Sequence, residues 1–251
     1  MRIVFLAVDD EFAGAMQQCV YARHPEWVAG SVISTSTIYK KGTLGSVGFI
    51  IKQCGLLYLA EMAWMKLVKK MLSPKDMALP GRLAIDARVE IFRSSDINDD
   101  PSLAKLASWK PDLVISTNFN HYIGKQARRI ATLGTWNLHK ALLPEHRGMA
   151  PSFFALLESC EYTGITLHKV EKGFDTGPIL VQEKFPIERS DTVYSLNKRA
   201  SEKGGQILVH FLEQLDPGNI KPTPQPSGDW HEYTYPNRRQ VRAFLAKGRR
   251  F

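Results

Sequence analysis

Asn137 and His139 stand two apart in the run Gly134-Thr-Trp-Asn-Leu-His139, and Asp175 follows in a glycine-flanked loop, Gly173-Phe-Asp-Thr-Gly177. The first run reads as the end of an extended strand, where a period of two puts the amide and the imidazole on one face. An amide, an imidazole and a carboxylate brought together suit acyl transfer. Asn137 can donate to a developing oxyanion. His139 can move protons near neutral pH. Asp175 can hold the imidazole and favour its charged form. No Ser or Cys sits at a recognisable nucleophile elbow, so direct attack by a substrate amine is expected rather than a covalent enzyme intermediate. Spacing by itself leaves a purely structural Asn-x-His open, because such groups are recognised by geometry and not by sequence position.

The elements that must position these residues alternate. Strand-like runs at 2–8, 27–34, 88–92, 112–117 and 135–138 are separated by helix-like runs at 11–23, 43–72, 101–109 and 122–130, with 151–158 helical again. That order predicts an α/β fold, a mostly parallel sheet with helices on both faces. Two further strands are expected at 162–170 and 178–187, then a long helix over 192–215 that Gly204-Gly205 weakens. After Asp216 the prolines 217, 222, 224 and 226 mark a linker or extended arm. The boundary is placed there: a catalytic domain over 1–215, then a Pro-rich arm and basic tail over 216–251. The turn after the first strand, Ala7-Val-Asp-Asp-Glu-Phe-Ala-Gly14, has no GxGxxG, and its acids would repel a pyrophosphate, so a nicotinamide cofactor is not expected.

Composition bounds the rest. The chain has 251 residues, 44 % hydrophobic and 23 % charged, which excludes a disordered, fibrous or coiled-coil protein. Its three cysteines form no CxxC pair, so neither a disulfide framework nor a metal site is expected, and a reducing, cytoplasmic setting is. The net charge of +8 favours anionic partners. The acid-free run 236–251 carries six of the basic residues and reads first as a solvated helix face with a frayed end. Residues 44–72 hold too many charges to span a membrane. The stripe Leu56, Ala60, Ala63, Trp64, Leu67 and Met71 suggests a helix packed on the core, with peripheral membrane contact as the alternative. His168 reads as a core or rim residue. His121 and His146 lie near the expected pocket.

Four blocks in order, Asn137-Leu-His139, 142–151 (Leu-Leu-Pro-Glu-His-Arg-Gly-Met-Ala-Pro), 163–168 (Thr-Gly-Ile-Thr-Leu-His) and 174–180 (Phe-Asp-Thr-Gly-Pro-Ile-Leu), resemble the folate-dependent formyltransferase family. That family includes methionyl-tRNA, glycinamide ribonucleotide and amino-sugar N-formyltransferases. A looser likeness covers Met1 to Leu215. The resemblance implies a Rossmann-like domain that moves a formyl group from 10-formyltetrahydrofolate to a primary amine, with Asn137, His139 and Asp175 as catalytic residues. It implies a pterin site between Asn118, Phe119 and Ile123 on one side and Val170, Glu171, Lys172 and Gly173 on the other. Arg147 and Lys140 are expected to meet the acceptor, an amino-sugar nucleotide or another phosphorylated amine; a loop salt bridge is the alternative for Arg147. Methionyl-tRNA formyltransferases carry a C-terminal barrel that 216–251 is too short to form, which ranks tRNA below a small molecule. A glycinamide ribonucleotide acceptor, hydrolysis of the folate, and plain folate, nucleotide or RNA binding remain alternatives, and a homodimer is compatible.

Overall fold

The structure, a computed structural model, describes residues 1–36, 38, 41–72 and 78–251, without the side chains of 43 and 65–72. In chain order the elements are β1 (Ile3–Val8), α1 (Glu11–Arg23), β2 (Val28–Ser34), α2 (Thr43–Gln53), α3 (Leu56–Leu72), α4 (Pro80–Asp86), β3 (Ile91–Ser94), α5 (Asp100–Ser108), β4 (Leu113–Thr117) and α6 (Lys125–Arg128). They continue with β5 (Thr135–His139), β6 (Arg147–Gly148), α7 (Pro151–Leu157), β7 (Tyr162–Lys169), β8 (Ile179–Pro186), α8 (Val193–Glu213), β9 (Glu232–Tyr233) and α9 (Arg238–Ala246).

Seven strands form one sheet in the order β3-β2-β1-β4-β5-β7-β8. The first five run parallel, while β7 and β8 are antiparallel to their neighbours. This is the mostly parallel α/β sheet that the alternation of elements predicts. A parallel strand must bury both faces, which is why β1 is apolar throughout. Its period of two sends Ile3 and Phe5 to one layer, against Met16, Val20, Leu208 and Leu212 of α1 and α8. Val4 and Leu6 go to the other, with Leu106, Trp109, Ile123 and Ala127. The crossovers reverse between β1 and β4, so the crevice expected for a ligand opens at their carboxyl ends.

Gly204-Gly205 is a packing device rather than a weak point of α8. A Cβ at Gly205 would lie 2.5 Å from the Ala15 carbonyl oxygen, so the glycine lets α8 close onto α1. Residues 43–72 form two helices, interrupted at Gly55, whose φ of 93° suits glycine. Their buried face is not the expected stripe. Cys54 and Tyr58 turn inward, while Leu44, Leu56, Leu57 and Trp64 are exposed. Tyr58 faces inward because its ring meets Phe251 edge-on at 5.2 Å; Leu67 and Met71 lie outside the described side chains. The helix expected over 122–130 shortens to Lys125–Arg128, and α4 was not foreseen.

The arm folds back along the sheet. Thr223 exchanges backbone hydrogen bonds with Ile179, and β9 pairs in parallel with β6. Helix α9 opens with a capping box between Asn237 and Gln240. Its arginines 238, 239 and 242 face solvent, as the charge run suggests. The end is not frayed: Val241, Phe244 and Phe251 are buried with Phe153 in a second hydrophobic cluster. No described helix is long and apolar enough to cross a membrane.

Candidate active site

The carboxyl end of β5 carries Asn137 and His139, and antiparallel pairing with β7 sets His168 directly opposite Asn137. Asp175 reaches the same place from the loop between β7 and β8, in a left-handed backbone conformation with φ of 51°. The Asn137 amide nitrogen lies 3.1 Å from His168 Nε2 and 3.3 Å from Asp175 Oδ1. His139 Nδ1 and His168 Nε2 each lie 3.4 Å from a carboxylate oxygen of Asp175. The backbone N–H of Gly148 donates to Asp175 Oδ2 at 2.8 Å. The structure thus brings the three expected residues together, on one side of the strand end.

The proton positions follow from the fixed acceptors. His139 Nε2 faces the His146 carbonyl at 2.8 Å, and a carbonyl only accepts, so Nε2 carries a hydrogen. His168 Nδ1 faces the Lys169 carbonyl at 2.9 Å and carries one too. In neutral form each ring therefore turns its bare nitrogen toward Asp175. Burial works against the charge on Asp175, yet His139, His168 and the Gly148 N–H together outweigh it and hold the carboxyl well below the usual carboxylate range. Burial pulls the His139 imidazole below its ordinary value, more than the Asp175 carboxylate raises it. Burial and the Asp175 carboxylate thus pull the His139 imidazole in opposite directions, which lets it take up and give back a proton beside a fixed negative charge. One proton delivered between Nδ1 and Oδ2 completes the pair.

His168 is the residue that sequence reasoning missed. It is fully buried and touches both Asn137 and Asp175. Its alternation within a strand is legible, but the partner strand that sets it across from Asn137 is not. Gln225 was missed as well. Its amide nitrogen donates to the Asp175 and Gly177 carbonyls at 2.7 Å each. Its oxygen accepts from the Arg147 guanidinium at 2.6 and 3.1 Å. One arm residue therefore ties the Asp175 loop to the segment that holds Gly148.

The residues expected at the pterin lie on two adjoining loops. Tyr122 OH donates to the Lys172 carbonyl at 3.2 Å, and the Tyr122 and Phe174 rings meet at 5.7 Å. Ile123 is buried in one hydrophobic cluster against which Phe119 and Val170 pack, while Glu171, Lys172 and Gly173 are exposed. Asn118 spans the crevice between β1 and β4. Its nitrogen donates to Asp10 at 2.6 Å, and its oxygen accepts from Lys140 at 3.0 Å. Burial raises the Asp10 carboxyl, partly offset by Lys140. Arg147 makes no loop salt bridge among the described residues; its partner is the neutral Gln225. His121 sits behind the loop, between Ser34 Oγ at 2.9 Å and the Ile97 N–H at 3.2 Å, and burial pushes its pKa down to about 4.

A doubly wound sheet thus carries an Asn, His and Asp cluster at the carboxyl edge where such sheets bind ligands. Residues 54–212, more than half of the chain, match the sequence model of a family described as formyl transferase, and the chain belongs to that family. A methionyl-tRNA formyltransferase from Kosmotoga olearia is 33 % identical over 154 residues, covering 61 % of this chain and 49 % of the relative. One from Thermotoga maritima is 34 % identical over 133 residues, covering 53 % and 42 %. The chain spans about half the length of the curated relatives it matches. Among solved structures, glycinamide ribonucleotide transformylase 1 from Symbiobacterium toebii superposes with a TM-score of 0.60 at 18 % identity, over 84 % of this chain and 85 % of that one. A sugar N-formyltransferase from a Shewanella species gives 0.60 at 17 % identity, over 92 % and 76 %. At these identities the two structures share the Rossmann-like fold.

Proposed function

We propose that the chain transfers the formyl group of 10-formyltetrahydrofolate to the primary amine of a small phosphorylated molecule, with an amino-sugar nucleotide as the favoured acceptor. The observation that carries this reading is the half-buried Asp175 carboxylate, shared by two imidazoles and bracketed by the Asn137 amide. The amine attacks the formyl carbon, a C–N bond forms, and the carbonyl becomes an oxyanion. Asn137 offers that oxygen one of the N–H bonds now spent on long contacts to His168 and Asp175. The amine nitrogen must then lose a proton, and His139 Nδ1 receives it against Asp175. The bond to the folate nitrogen breaks, and the same proton passes to that nitrogen, leaving a formamide and tetrahydrofolate. The pterin lies between 118–123 and 170–173.

Arg147 supports an anionic acceptor. Its guanidinium rests on an uncharged amide, so its charge is not cancelled and a phosphate displaces only Gln225. Lys140 beside Asp10 is the weaker contact. Incubation with 10-formyltetrahydrofolate and a panel of amino-sugar nucleotides, glycinamide ribonucleotide and methionyl-tRNA tests the reading. The expected result is amine-dependent release of tetrahydrofolate and a small product heavier by one CO. Release without amine would make the chain a hydrolase, and no release with any acceptor would leave only binding.

A further inference from the structure

We infer that His146, Glu158 and Cys160 form a site for a divalent transition metal, with Zn²⁺ the fitting ion. Their donor atoms all lie within 4.8 Å of one another, and His146 Nε2 is already 3.1 Å from Glu158 Oε2. A tetrahedral shell with bonds of about 2.0–2.3 Å places its donors roughly 3.3–3.7 Å apart. The His–Glu pair is near that spacing, and rotation of the exposed Glu158 and half-buried Cys160 side chains closes the rest. An imidazole, a carboxylate and a thiolate are the borderline-soft set that Zn²⁺ takes, and their two negative charges balance the ion.

Separate parts of the backbone hold the donors. His146 lies in the loop before β6, with a left-handed φ of 51°. Glu158 caps the end of α7, and the Cys160 N–H bonds back to the Ala155 carbonyl at 3.0 Å. Tyr233 OH donates to Glu158 Oε1 at 2.7 Å, which orients the carboxylate and leaves Oε2 for the ion. Among the described residues Glu158 has no lysine or arginine partner in an ion pair; nearby Lys247 spends its ammonium on the Leu157 carbonyl. The donor side chains are not those of the Asp175 cluster, although the His146 carbonyl also holds His139 Nε2 at 2.8 Å, and the assignment does not depend on the reaction proposed there.

Titration of the full chain, stripped of metal, with Co²⁺ tests the assignment. One equivalent is expected to bind with a sulfur-to-cobalt charge-transfer band and tetrahedral visible absorption, and Zn²⁺ is expected to displace it. Cys160→Ser abolishes the charge-transfer band, while His146→Ala and Glu158→Gln each weaken binding by about tenfold or more. Cys54→Ser leaves the spectrum unchanged. Far-UV circular dichroism checks that each variant is folded, and Glu158→Gln keeps the side-chain shape should His146→Ala unfold. Absence of the band in the wild-type chain, or its survival in Cys160→Ser, overturns the proposal.

Discussion

Asp175 is ionised in the fold because its surroundings want the charge, and this has consequences for both rate and acid stability. Asn137→Ala, His139→Ala and Asp175→Ala are each expected to lower formyl transfer by on the order of 10²–10³, measured as steady-state release of tetrahydrofolate by the folded variants. The folded pKa of Asp175 lies below its ordinary value, so the unfolded chain takes up the proton first as pH falls. Its stabilisation is complete above about pH 4 and is lost as acid approaches the depressed value. Asp175→Asn should flatten the denaturation midpoint below that pH. His121 acts in the same direction over a higher window. Its folded pKa is about 4 against an ordinary 6.5, so stability falls as pH drops from 6.5 toward 4. His121→Gln should remove that slope in thermal melts. At this scale the sequence was informative about Asn137, His139 and Asp175, which share a strand end and a glycine loop. It marked His168 only as a core or rim residue, because its contacts with Asn137 and Asp175 exist through pairing with a strand about thirty residues away.

The arm is the element whose character the residues disguised. Four prolines read as a linker or an extended arm, and the segment is the second: it supplies Gln225 and a strand beside the site, because extended backbone pairs with an edge as readily as it spans a gap. If Asp175 must be held in place, Gln225→Ala should cut kcat about tenfold with little change in KM for the folate. Gln225→Glu, which keeps the grip on Arg147 but loses the N–H donors to Asp175 and Gly177, should be no better than alanine. Helix α9 contributes packing. Phe244 is fully buried against Phe153 at 4.6 Å between ring centres, so Phe244→Ala should cost about 3–5 kcal/mol by urea denaturation. The helix was legible from its charged face, but the apolar face shows only as two residues three apart, too few to forecast that the end is tied down. The buried face of 43–72 was misread for a related reason: several periodic stripes fit the same apolar residues, and Phe251 decides which one turns inward.

For the whole molecule, the mostly parallel sheet with helices on both faces was readable because each strand advertises its burial and helices separate the strands, whereas the strand order came only from the fold. The reversal at β7 was not, since two antiparallel strands have the same composition as two parallel ones. The excess positive charge makes a prediction that separates the acceptors. Transfer to a small phosphorylated amine should change only a few-fold between low and moderate salt, whereas dependence on tRNA would fall steeply as released counterions oppose binding. Stopped-time assays with both acceptors across a salt series make the comparison. The arm's return to Asp175 and Gly148 also orders events in time. During translation β5 leaves the ribosome before Gln225 does, so the loop bearing Asp175 is expected to gain this tie only after residue 225 has emerged. A nascent chain halted before that point is expected to hold the sheet without the tie that fixes Asp175 beside Gly148, so the proposed centre would be completed only late in synthesis.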